Sequence, residues 1–151
     1  FYTQHRGLAE AAIQQAWGVE AMALGNHEFD LGPANVARYL RALGVPILAA
    51  NLDTAAEPEL AGLTRPWMLF ERGGARIAVI GLITEDTPNI ASPGPRLRFT
   101  DANEATARAV AAIAATGPAT VVVLSHRGFG ADRRMAAEVR GLDAIVGGHS
   151  H

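Results

Sequence analysis

Short apolar runs alternate along this sequence with segments of helical period, and that alternation limits the fold more than any other feature. Residues 19–24, 46–50, 119–124 and 143–146 are near-continuous apolar stretches, the pattern of strands covered on both faces. Residues 8–17 carry Ala9, Ile13 and Trp17 at i, i+4 and i+8, with Gly18 as a stop. Pro33 suits a first helical turn; Val36, Tyr39, Leu40 and Leu43 form the stripe behind it, and Gly44 ends it. Asp101 followed by Glu104 predicts a capped helix reaching about residue 115, with Val110, Ile113 and Ala114 inward, broken by Gly117-Pro118. A shorter helix is predicted over 133–140, with Met135 and Val139 on one face. Strands joined through helices need crossovers, which are right-handed and give a largely parallel core. The middle differs: residues 66–72 and 75–82 flank Gly73-Gly74, the signal of a type I′ hairpin, and 84–95 is a polar, proline-containing loop. The expected fold is α/β, a mixed, mostly parallel sheet layered between helices.

Composition narrows the function classes. The 151 residues suffice for one domain with a buried core, and 49% hydrophobic against 19% charged residues is not a disordered balance. No apolar run approaches the ~20 residues of a membrane span. A net charge of −2 leaves no basic excess to track a nucleic-acid polymer. All the basic residues are Arg, which reads as genomic bias, and the absence of Cys excludes disulfides and thiolate metal sites. Trp17 and Trp67 are expected in the core.

The chemistry lies in three polar clusters, each directly after an apolar run: Gly25-Asn26-His27-Glu28-Phe29-Asp30, Ser125-His126-Arg127 and Gly147-Gly148-His149-Ser150-His151. In open α/β sheets, sites form outside the carboxyl ends of strands. Four of the five histidines fall there, and only His5 does not. Each cluster alone has an ordinary reading: a capped turn, a core-edge residue, an exposed tail. Together they offer imidazoles and an amide oxygen, donors suited to Zn, Mn or Fe. His149 and His151 are two apart in an extended loop and point the same way, so they could hold one metal together or one each of two. Arg127 is either a phosphate contact or a surface residue, and Asp53 and Asp132 read as turn residues.

These three clusters resemble three of the five signature blocks of calcineurin-like metallophosphoesterases. Within that superfamily the sequence is similar to the 5′-nucleotidase family, with support from residues 21–24, 50–53, 77–82 and 139–143. The resemblance implies a layered metallophosphoesterase-type fold, here incomplete, and a metal-dependent phosphomonoester hydrolase acting on nucleotides through two divalent ions, Zn, Mn or similar. It implies that Asn26, His126 and His149 bind one metal and His151 the other, that His27 is the catalytic histidine, and that Asp30 holds and polarises His27. Glu28 and Phe29 are structural in this reading, and no substrate-binding residue is assigned. The Asp-x-His and Gly-Asp blocks of the family are absent, as is its C-terminal nucleotide-binding domain. The expectation is therefore that residues 1–151 form part of a catalytic domain and are inactive alone, within a periplasmic, cell-surface or secreted parent. The alternatives are a 2′,3′-cyclic-nucleotide phosphodiesterase/3′-nucleotidase and a non-catalytic module that retains the fold.

Overall fold

Gly73 and Gly74 reverse the chain at φ of +56° and +81°, the two left-handed conformations that a type I′ turn needs. They join β5 (Trp67–Arg72) to β6 (Ala75–Ile83) as an antiparallel hairpin in the computed structural model, which describes residues 2–150. Past the hairpin every pairing in this sheet is parallel. β8 (Thr120–His126) lies on β6, and β9 (Ala144–Gly147) lies on β8. The crossovers are α5 (Ala102–Ala114) and α6 (Phe129–Glu138).

A second sheet is parallel throughout: β1 (Met22–Ala23), β2 (Ile47–Leu48) and β4 (Thr64–Arg65). β3 (Leu52–Asp53) and β7 (Arg98–Phe99) form a separate antiparallel pair. The expected mixed, mostly parallel α/β character stands, with the strands divided among these sheets. β1 and β2 lie beside β6 and β8, and the two sheets meet at Gly81, whose carbonyl accepts the Ala50 N–H at 2.7 Å. A Cβ at Gly81 would fall 2.2 Å from the Leu48 carbonyl oxygen, so only glycine allows this approach.

Two cores follow from two sheets. Around the first sheet, α2 (Leu8–Ala16) and α3 (Pro33–Leu43) cover Leu24, Phe29, Ile47 and Leu60. Behind the second, α5 and α6 cover Ala78, Ile80, Leu82, Val121 and Val123, with Trp67 half-buried at the margin. The predicted stripe of α3 is the buried one, and Gly44 ends that helix in the left-handed region. The predicted stripe of α2 is not. Trp17 is 79% exposed and Ile13 41%, while Ala11 is buried. Beside buried Ala11, α2 meets α3 through two glutamines at its margin: half-buried Gln14 accepts from the Tyr39 hydroxyl, and exposed Gln15 donates to the Ala42 and Leu43 carbonyls. A face that closes by hydrogen bonds leaves no apolar stripe to read. Similarly, α5 buries Ala102, Ala105, Thr106, Ala109 and Ile113 and leaves Ala114 outside. β9 is an edge strand, and Val146 is 57% exposed, against the expectation of burial on both faces. The 84–95 loop contains one helical turn, α4 (Thr87–Ile90). The remaining helix is α1 (Tyr2–His5).

Candidate metal centre

The site forms where three strands end. The parallel register pairs Ile83 with His126 and Ser125 with Gly147, so the tips of β8 and β9 lie side by side. The Gly148 N–H donates to the Ser125 carbonyl at 2.7 Å and carries that pairing one residue further. β1 brings the third cluster from the other sheet. After it the chain turns at Gly25 into a short 3-10 turn, Asn26–Phe29. The Gly25 N–H donates to Glu28 Oε2 at 2.7 Å, and Phe29 anchors the turn in the core, edge-on to Phe99. Burial pushes the Glu28 carboxyl above the usual carboxylate range, against the pull of the Gly25 hydrogen bond. Tyr2 donates to the Glu28 carbonyl, and burial raises its phenol to about 12.

Asn26 is 3% exposed, and its Oδ1 lies 3.0 Å from His126 Nε2, across 100 residues of chain. The His149 ring stands 5.0 Å from the His126 ring, centroid to centroid, tilted by 57°. His27 is on the neighbouring position, its side chain 69% exposed, and Asp30 Oδ2 lies 2.9 Å from its Nδ1. The structure therefore brings Asn26, His126 and His149 together, with the His27–Asp30 pair on the adjoining turn. His151 lies outside the described residues.

Close packing sets this geometry. A Cβ at Gly25 would sit 2.9 Å from His126 Cε1, and one at Gly148 3.3 Å from His126 Nδ1. His149 has φ +75°, in the left-handed region that a residue with a Cβ occupies only under constraint. The constraint comes from both sides: Gly148 is bonded to Ser125, and Ser150 Oγ accepts the Phe129 N–H at 2.9 Å.

The donor set fits a divalent ion. With Nε2 protonated, His126 donates to the Asn26 amide; with Nε2 deprotonated, both atoms present lone pairs to a common point. Two ligands ~2.1 Å from one ion at a near-right angle are about 3.0 Å apart, which is the observed separation. Among the described residues no three His, Asp or Glu side chains gather as a cation site, and the donors that meet here are two imidazoles and an amide.

Two residues beside the site, Arg127 and Asp132, depart from their sequence reading. Arg127 is not a surface residue: its side chain is 11% exposed. Its guanidinium forks onto Glu85 at 2.8 and 3.1 Å and reaches Asn103 Oδ1 at 3.0 Å. Asp132 is not a turn residue. It is buried in the first turn of α6 and accepts a short hydrogen bond from Ser125 Oγ. The helix starts earlier than predicted because Ser150, 21 residues on, caps Phe129. Asn51, to which the sequence reading gave no role of its own, is fully buried and pairs with both backbone groups of Ile83, as a strand would. Asp53 does form the expected turn, accepting from the Ala55 N–H. For Glu85, Asp132 and Asn51 the sequence carried no local signal, because every partner is distant or is backbone.

A family model described as calcineurin-like phosphoesterase matches residues 2–151. A 5′-nucleotidase of Diplobatis ommata is 36% identical over 154 residues, which take in 100% of this chain and 27% of that protein. A crystal structure of a 5′-nucleotidase precursor from Thermus thermophilus superposes with a TM-score of 0.94 at 43% identity, over 98% of this chain and 29% of that one. The structure of a Haemophilus influenzae NAD nucleotidase gives 0.88 at 33% identity, over 97% of this chain and 26% of that one. The chain thus spans about a quarter of the length of the relatives it matches. No helix among the described residues is long and apolar enough to cross a membrane.

Proposed function

The chain belongs to the calcineurin-like phosphoesterase family, and from that premise we propose that it supplies part of the catalytic site of a phosphomonoester hydrolase acting on nucleotides, of the 5′-nucleotidase type. The observation that carries the reading is the meeting of Asn26 and His126 at 3.0 Å, with the His149 ring alongside and the His27–Asp30 pair next to it. The 5′-nucleotidases among its relatives support the nucleotide as substrate.

Calcineurin-like phosphoesterases are metal-dependent. In this reading Asn26, His126 and His149 hold one divalent ion and His151 contributes to a second. Such a pair, of Zn, Mn or similar ions, supplies an activated water and charge neutralisation at the phosphoryl oxygens. The chain's own residues do the rest. Asn26, His126 and His149 are neutral donors, so they leave the charge of an ion undiminished toward the anionic substrate. Asp30 accepts from His27 Nδ1–H, which fixes the ring and turns Nε2 outward from an exposed position. A protonated His27 then offers Nε2–H to a phosphoryl or leaving-group oxygen, where the transition state gathers negative charge.

The test is phosphate release from AMP by the protein that carries this chain, with Mn²⁺ or Zn²⁺ and after chelation. Release with metal, lost on chelation and restored by metal, is the expected result. Faster cleavage of 2′,3′-cyclic AMP than of AMP would replace this reading with the cyclic phosphodiesterase. No cleavage of either substrate, with metal bound, would leave a non-catalytic module.

A further inference from the structure

β8 stops at His126, so this ring is carried by a strand tip. Both chain neighbours of His126 are fastened on the other side of the strand, in the helical layer. Ser125 Oγ donates to buried Asp132 of α6. Arg127 sends Nη2 and Nε to the two oxygens of Glu85 and Nη1 to Asn103, and its side chain is 11% exposed. Glu85 Oε1 also accepts the N–H of Ala102, where α5 begins, at 3.2 Å. Asn103 in turn donates to Glu138, where α6 ends, at 2.7 Å. One guanidinium therefore gathers the loop after β6, the start of α5 and the end of α6 behind the residue next to His126. Glu85 lies 42 residues from Arg127 and Asn103 lies 24, so none of this is local turn chemistry. A bidentate guanidinium–carboxylate fork fixes direction as well as distance, which a lysine in its place would not.

We propose that the Arg127–Glu85 fork is a positioning device for the metal centre, holding the β8 tip so that His126 Nε2 stays against Asn26 Oδ1. The proposal rests on the metal-centre reading above and adds to it two residues that bind neither metal nor substrate. Outer partners of this kind change metal affinity about 10–100-fold when removed. A merely structural ion pair would change the melting temperature and leave the affinity of the folded chain alone.

The experiment titrates the chain with Co²⁺, read by visible absorption well below the melting temperature, beside thermal unfolding in chelator. Arg127→Gln and Glu85→Gln should each weaken Co²⁺ binding about 10-fold or more, and the double variant should be no weaker than either, since both break one link. Arg127→Lys, which keeps the charge and loses the fork, should fall between. Arg108→Gln, on an exposed helical pair with Glu104, should bind as the parent does. Should Arg127→Gln fail to fold, Glu85→Gln and Arg127→Lys carry the same test. Parental Co²⁺ affinity in folded Arg127 and Glu85 variants overturns the positioning role. His126→Ala separates the two readings: if it weakens Co²⁺ binding and the fork variants do not, only the positioning role falls. If His126→Ala also binds as the parent does, the metal centre falls with it.

Discussion

Gly81→Ala adds one methyl group at the point where the two sheets touch. The new Cβ would lie 2.2 Å from the Leu48 carbonyl oxygen and 2.4 Å from both the Leu48 carbonyl carbon and Cβ. Ordinary contact begins near 3.4 Å, so β2 and β6 must part by about 1 Å, and no flexible side chain can give way instead. Overpacking of this kind costs about 1–3 kcal/mol. The opening also stretches the 2.7 Å bond from the Ala50 N–H to the Gly81 carbonyl, and losing it costs about 1 kcal/mol more. A total of about 2–4 kcal/mol lowers the melting temperature by roughly 5–15 °C at ~2–4 °C per kcal/mol for a chain of this size. Gly130→Ala is the matching control. Gly130 lies inside α6, and an added Cβ would meet only the end of the Arg134 side chain, at 3.8 Å. There the same chemical change should stabilise by about 0.5–1 kcal/mol through helix propensity. Thermal unfolding by circular dichroism and urea titration should show opposite shifts at equal m-values. A melting temperature for Gly81→Ala within about 2 °C of the parent, less than 1 kcal/mol on the same scale, would refute the argument that backbone contact at this junction sets the sheet separation.

Four further outcomes follow from the site. His27→Ala in the protein that carries this chain should lower kcat by about 10²–10⁴-fold, the range of general acid catalysis, with metal content retained, and Asp30→Asn should give a milder loss. Loss of a metal equivalent in His27→Ala, read by metal analysis, would overturn the assignment. At φ +75°, His149→Gly should be more stable than His149→Ala by about 1 kcal/mol in chelator, while both lose metal affinity; equal denaturant midpoints would show that the backbone stores no strain. The raised carboxyl of Glu28 means the folded state binds its proton more tightly. Its stabilising contribution is full below the unfolded value of 4.5 and is lost as pH rises through the folded one. Glu28→Gln should therefore flatten the decline in denaturant midpoint above pH 4.5, and an unchanged slope would count against it. Finally, these 151 residues alone should release no phosphate from AMP at an enzymatic rate with excess Mn²⁺. The described donors include no carboxylate to offset two dications ~3.5–4 Å apart, whose repulsion is many kcal/mol even at an effective dielectric near 20.

What was legible in the sequence was what a few neighbouring residues decide by themselves. Gly73-Gly74 turn as two left-handed residues because glycine takes that conformation without strain. α3 runs from Pro33 to Gly44 because a ring with fixed φ opens it, a glycine closes it, and its four apolar residues fall on one face. Asp101 caps α5 through the Glu104 N–H, three residues on. The polar clusters were legible as strand-end chemistry for the same reason, since apolar runs and the loops after them are contiguous. Distant partners settled the remainder. α6 begins at Phe129 because Ser150 caps it, and Asp132 is buried because Ser125 meets it there. Arg127 turns away from solvent because Glu85 and Asn103 wait behind the strand tip. Trp17 stays outside because α2 meets α3 through the small Ala11 and the hydrogen bonds of Gln14 and Gln15. The Asn26–His126 contact belongs to both categories. Its residue types are metal donors in the sequence reading, but the 3.0 Å between them exists only where β1 of one sheet ends beside β8 of the other, with glycine at position 25 leaving room for the ring. Hydrogen bonds and close contacts depend on distance in space, and sequence separation fixes that distance only over the span of a turn.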